Sequence, residues 1–200
     1  MDLPALFGNI DIYLFDQLLR GRIAPGMRVL DAGCGGGRNL VYLLREGFDV
    51  HAVDEDANAV ASVRQMAASL APAVDPQHIR LAAIENLPYP DGSFDVVISN
   101  AVLHFAHDDG HFERMVGEMW RVLKPGGMLF ARLASSIGMT TRLEHLGGRR
   151  YVLPDGTTRY VVDEAQIMAM TDALSGRLLD PLKTTVVQHQ RCMTTWVLQK

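Results

Sequence analysis

The feature that most constrains this chain is seven residues long. Asp31-Ala32-Gly33-Cys34-Gly35-Gly36-Gly37 follows directly on the apolar run Arg28-Val29-Leu30. Glycine loses more conformational entropy on folding than any other residue, so four glycines in five positions belong where the chain turns tightly or another body approaches its backbone. Helix-forming residues from Asn39 to Glu46 come next and are stopped by Gly47. The unit therefore reads as strand, tight turn, helix.

The alternation continues along the chain. Asp49-Val50-His51-Ala52-Val53-Asp54 predicts a second strand ending in an acid, and residues 56–70 predict an alanine-rich helix stopped by Pro72 and Pro76. Residues 79–84 predict a third strand, and Leu87-Pro88-Tyr89-Pro90-Asp91-Gly92 is turn chemistry. Phe94-Asp95-Val96-Val97-Ile98-Ser99-Asn100 predicts a fourth strand and residues 109–123 a helix. Lys124-Pro125-Gly126-Gly127 closes that helix before a strand over 128–133. Strands and helices at this pitch imply right-handed βαβ units and a mostly parallel sheet, an α/β doubly wound Rossmann-like fold.

The ends read differently. Leu3, Leu6, Phe7, Ile10, Leu14, Leu18 and Leu19 recur at helical spacing and predict a leading helix within residues 1–27. Pro154-Asp155-Gly156 lies between two Tyr- and Val-containing segments, which predicts a hairpin or ordered loop over 150–162. A helix over 164–174 and strands over 178–187 and 192–198 follow, the strands forming a C-terminal antiparallel pair. One domain is expected: a leading helix over 1–27, a core over 28–134, a loop or hairpin over 135–162, and the final helix and strand pair over 163–200.

Bulk composition narrows the partners. At 48% hydrophobic and 21% charged, the 200 residues match globular chains rather than disordered ones. A net charge of -4 argues against a nucleic-acid partner, which calls for a basic stripe. The first residues carry Asp2 and Asp11 rather than a basic leader, and no apolar run reaches the roughly eighteen residues that span a bilayer. No targeting or membrane segment is expected. Cys34 and Cys192 stand far apart without a CxxC spacing, which favours a reducing cytoplasm and gives no metal set. A monomer or homodimer is expected.

In an open parallel sheet, ligands bind beyond the carboxyl ends of the strands at the switch point. A dinucleotide fingerprint counted from Gly33 requires a small residue at position 38, where Arg38 stands; this weakens a nicotinamide or flavin reading. Asp31, at the end of its strand, can face a cation and would repel a pyrophosphate. Asp54, about twenty residues on, is placed to accept hydrogen bonds from both hydroxyls of a ribose, with Glu55 beside it. A ligand with an adenosine half and a cationic amino-acid half suits both acids.

Val29 to Gly37, Ala52-Val53-Asp54, the stretch from Glu85 to Asp95 and Val122 to Gly127 together resemble the successive motifs of class I S-adenosylmethionine-dependent methyltransferases, especially the small-molecule type 11 and type 12 branch. The likeness runs from about residue 28 to residue 134 and implies the seven-stranded methyltransferase fold. It implies that Asp31, Gly33, Cys34 and Gly35 hold the methionine moiety and Asp54 the ribose. Ile84 and Glu85 flank the adenine, and Asn100, Ala101 and the residues to Leu103 floor the sulfonium. The family commonly carries an Asp before the residue that stacks near the adenine; here it is Ala83, which implies either a substitute, the backbone at Ile84 or Glu85 or Asn86 nearby, or a weaker cofactor affinity. The amino-methylating enzymes of nucleic acids continue after the Asn with Pro-Pro-aromatic, whereas Asn100 is followed by Ala101-Val102-Leu103, so the implied acceptor is a small molecule with an O, N or S nucleophile.

Methyl transfer needs alignment more than a base, since the sulfonium is already reactive. His104 is the candidate base, with His107 and His111 nearby; Tyr13, His104 and Arg132 are the candidate acceptor contacts, and Tyr151 and Tyr160 further candidates to close the pocket. Cys34 reads as a packed side chain rather than a nucleophile. The alternative function is a catalytically silent S-adenosylmethionine-binding or partner-binding domain.

Overall fold

A computed structural model describes residues 2–139 and 143–200; the part of the loop or hairpin expected over 135–162 that falls on 140–142 lies outside them. The strands are β1 (Arg28–Ala32), β2 (Asp49–Asp54), β3 (Ile79–Leu81), β4 (Phe94–Asn100), β5 (Leu123–Ala134), β6 (Glu144–Gly147), β7 (Arg150–Val152), β8 (Thr158–Tyr160), β9 (Arg177–Leu178), β10 (Lys183–Val187) and β11 (Arg191–Gln199). The α-helices are α1 (Leu3–Phe7), α2 (Ile12–Leu19), α3 (Val41–Arg45), α4 (Ala57–Leu70), α5 (Asp109–Val122) and α6 (Glu164–Ala173).

The main sheet has the order β10-β11-β5-β4-β1-β2-β3, with β9 added beside β11. β1 to β5 are parallel neighbours, and β11 joins β5 antiparallel. The chain winds outward from β1 through β2 to β3, then returns to β4 on the other side, so the switch point lies between β1 and β4.

Alternation along the strands builds the two layers. Leu30, Val97, Leu129 and Ala131 face the cluster formed with α5 and α6, including Phe112, Met119 and Ile167. Val29, Val96, Ile98 and Phe130 face the opposite cluster, which takes Leu14 from α2, Leu43 and Leu44 from α3, and Val60 and Val63 from α4. Both faces of each central strand are buried, the arrangement parallel sheets require.

The structure corrects five details. The leading helix is two helices, because Gly8 sits at φ +62 and Asp11 starts the second by accepting from the Tyr13 N–H at 2.9 Å. The third strand ends at Leu81, and Ile84 stands in a single 3₁₀ turn over Ile84–Asn86. Lys124-Pro125-Gly126-Gly127 is a bulge within β5, between the Phe94–Leu123 and Val96–Met128 pairs. The first final strand breaks at Asp180-Pro181 into β9 and β10. Beyond the expected hairpin, β6 adds a strand to form the three-stranded sheet β6-β7-β8.

Candidate cofactor and acceptor site

At the carboxyl end of β1 the chain turns back onto β2. Gly33 and Cys34 both donate their N–H groups to the Val53 carbonyl, at 2.9 and 3.0 Å, and the Gly35 N–H donates to Asp54 Oδ2 at 2.8 Å. Gly33 stands at φ +84, and a Cβ there would lie 2.6 Å from a Val102 methyl, so no other residue fits without displacing the floor of the site. Gly35 and Gly36 have nothing within 4 Å of an added Cβ: they border open space.

That space is a cavity of about 780 Å³, within the range of ligand pockets. It gathers most residues expected from the sequence: Gly33, Cys34 and Gly35 from the turn; Asp54 and Glu55 after β2; Ile84 and Glu85; Asn100 and Ala101 after β4; and His104. Tyr13 and Arg132 are not in its lining. Tyr13 Oη lies 2.6 Å from Thr185 Oγ1, and Arg132 donates to Asp11 Oδ2 at 3.1 Å with its guanidinium over the Tyr13 ring.

Asp31 lies behind the turn, fully buried, and neither carboxylate oxygen has a hydrogen-bond partner. Burial pushes its carboxyl up to about 7; the Arg38 charge opposes the rise and the Asp54 charge adds to it. A buried acid without a donor is costly, and a cationic group beyond the turn relieves the cost. Asp54 is wired differently, with Oδ1 accepting from Asp56 N–H at 2.9 Å and Oδ2 from Gly35. Each oxygen keeps a second lone pair for a ligand hydroxyl.

The floor carries strain. Ala101 follows Asn100 with φ +66, a conformation a non-glycine residue adopts at a cost of about 1–3 kcal/mol, found disproportionately where function requires it. The Ala101 N–H donates to the Arg132 carbonyl at 2.8 Å, and the Asn100 side-chain amide is buried without a partner. His104 is buried just beyond, and burial, then the Arg159 charge, push its imidazole down to about 4, so it is neutral at pH 7. Burial raises the Cys34 thiol far above its usual range, which agrees with a packed side chain and not a thiolate.

Several lining residues escaped the reading of the sequence as site residues. Arg38 and Asn39 line the turn side of the cavity, Phe105 and Met115 its walls, and Arg150 and Thr158 reach it from the small sheet along with Tyr160. Their signal was weak because the small sheet is placed by tertiary contact with Leu103–Phe105, not by a motif of its own.

Among the described residues one cluster, Asp49, His51 and His78, has the atoms to hold a metal ion. It sits at the amino ends of the strands, away from the cavity, and a cation already serves it: Arg28 Nε donates to His51 Nε2 at 3.1 Å and lies 3.3 Å from Asp49.

Residues 30–131 match the model of the family described as methyltransferase domain. The chain is 31% identical over 184 residues to a ubiquinone biosynthesis O-methyltransferase of Methylocella silvestris, covering 84% of this chain and 69% of that one. It is 34% identical over 110 residues to a malonyl-[acyl-carrier protein] O-methyltransferase of Pectobacterium atrosepticum, where it spans 54% of this chain and only 40% of the relative. Among solved structures, a SAM-dependent methyltransferase of Methanosarcina mazei superposes with a TM-score of 0.74 at 19% identity, over 92% of this chain and 96% of that one. A Burkholderia thailandensis 1,6-didemethyltoxoflavin-N1-methyltransferase, solved with bound 1,6-didemethyltoxoflavin and S-adenosylhomocysteine, gives a TM-score of 0.68 at 18% identity, over 94% of this chain and 75% of that one. The chain belongs to the class I S-adenosylmethionine-dependent methyltransferase family, in its type 11 branch.

Proposed function

We propose that residues 1–200 act as one domain that transfers a methyl group from S-adenosylmethionine to a small-molecule acceptor. The observation that carries this reading is the pair of acids at successive strand ends, one buried without a partner behind a glycine turn and one at the rim of the cavity. The bound sulfonium supplies an electrophilic methyl group. Asp31 offers its charge to the amino group of the methionine moiety, and Arg38 stands on the same side for the carboxylate. Asp54 accepts from the ribose hydroxyls with the lone pairs its backbone contacts leave free. Ala83 leaves the adenine to the apolar side chain of Ile84 and to Glu85, whose Oε1 is 3.4 Å from His111 Nε2.

Alignment does the rest. Asn100 and the strained Ala101 hold the floor, and a neutral His104 adds no positive charge next to a sulfonium. An imidazole near 4 is a poor base at neutral pH, so acceptors that arrive deprotonated are favoured. No described helix is long and apolar enough to cross a membrane, and Cys34 and Cys192 are free and buried, which supports work in a reducing compartment such as the cytoplasm. No observation favours the silent-domain alternative. The test is Asp54→Ala: S-adenosylhomocysteine affinity measured by calorimetry falls more than tenfold, and unchanged affinity contradicts the assignment.

A further inference from the structure

The cavity is electrically lopsided. Two of its lining carboxylates, Asp54 and Glu55, follow β2 beside the turn, and the third, Glu85, lies 3.4 Å from His111 near the start of α5. Where the small sheet meets Leu103–Phe105, its own lining residues Arg150, Thr158 and Tyr160 bring one cation and no carboxylate. The register of the hairpin explains how it gets there. Arg150 pairs directly with Tyr160, and Val152 with Thr158, so these side chains share one face of the β7–β8 ladder, and Arg150, Thr158 and Tyr160 all line the cavity.

Arg150 also differs from its neighbours in being unspent. Arg149 pairs with Asp163 at 2.8 Å, and Arg159 lies over the Phe105 ring and donates to the Thr158 carbonyl. Among the described residues the Arg150 guanidinium has no hydrogen bond or ion pair. The tyrosine beside it is already committed, since Tyr160 Oη donates to Asp109 Oδ1 at 2.7 Å and its ring stacks on Phe112. Near them the lining continues through Phe105 and Ala106, with His104 and His107 on either side in the chain. A guanidinium fork beside Phe105 and Ala106 matches a planar carboxylate on an apolar body.

Resting on the methyltransferase reading, we infer that the acceptor is a small carboxylate with an apolar body, held through its carboxylate by Arg150 at the small-sheet end of the cavity.

The experiment is calorimetry on the full chain saturated with S-adenosylhomocysteine, titrated with benzoate and with its neutral counterpart benzamide. Benzoate binds at least tenfold tighter than benzamide, and Arg150→Gln removes that preference while changing S-adenosylhomocysteine affinity less than twofold. Arg150→Lys keeps part of the preference, which a misfolded variant would not. Equal binding of the two probes, a preference that survives Arg150→Gln, or no binding of either probe overturns the inference. Failure of the native chain to bind S-adenosylhomocysteine is a separate result, seen in the first titration, and overturns the cofactor assignment beneath it.

Discussion

Asp31→Asn separates the cost of the site from its use. In the ligand-free fold the Asp31 carboxyl is moved by burial from 3.8 to about 7. At about 1.4 kcal/mol per pH unit, the ionised side chain destabilises the fold by about 4 kcal/mol at pH 8. The sign follows from proton counts. Between about pH 4 and 7 the unfolded chain has released this proton while the folded chain holds it, so stability is fullest below about pH 4 and is lost as pH rises through about 7. Roughly 2 to 3 kcal/mol of the loss falls between pH 5 and 8. Asparagine removes the charge but leaves a buried amide unpaired, at about 1–3 kcal/mol, so the variant gains about 1–3 kcal/mol at pH 8. Urea unfolding followed through the buried Trp120 and Trp196 measures it. The variant is more stable than the native chain at pH 8, its pH dependence is flatter, and its S-adenosylhomocysteine affinity falls at least tenfold. Identical pH slopes in the two proteins would refute the reasoning.

Gly33→Ala places a left-handed alanine, at about 1–2 kcal/mol, against a Val102 methyl 2.6 Å away, which adds about 1–3 kcal/mol of overpacking. Its urea midpoint drops accordingly and cofactor affinity drops with it; a native midpoint contradicts the turn geometry. His104 titrates near 4 by NMR and stays neutral at pH 6; a midpoint between 6 and 7 contradicts its burial. Asp180→Ala strips a buried acid from Arg22 at 2.7 Å and Gln17 at 3.2 Å and lowers stability by about 1–3 kcal/mol, the partial exposure of Arg22 limiting the loss. Denaturation at two salt concentrations checks both the size of the loss and its weak screening.

Much of the fold was legible because its signals are local. β2 and β4 occupy the residues their apolar runs predict, and the helix starting at Ala57 is capped by the Asp56 side chain accepting from the Asn58 N–H. The candidate site was legible where it coincides with strand ends, since a parallel sheet brings the carboxyl ends of β1, β2 and β4, with Asp31, Asp54 and Asn100, to one edge of the sheet. Legibility stopped where long-range contact decides. Nothing local marks β6, because a four-residue exposed strand exists only through β7. Lys124 to Gly127 has the composition of a helix stop and serves as one, yet it is also held in the sheet as a bulge because Lys124 Nζ pairs with Asp95, which in turn accepts from the Arg28 N–H. The chemistry of Tyr13 and Arg132 suits an acceptor contact, but Asp11 captures Arg132 and Thr185 captures Tyr13, 121 and 172 residues away in sequence.

The central claim is that the glycine turn and its two acids hold S-adenosylmethionine. Calorimetry of the purified chain against S-adenosylmethionine, S-adenosylhomocysteine and NADH tests it most directly. Micromolar binding of the first two without binding of NADH is the predicted result; tight NADH binding, or no binding of either adenosyl compound, would contradict it.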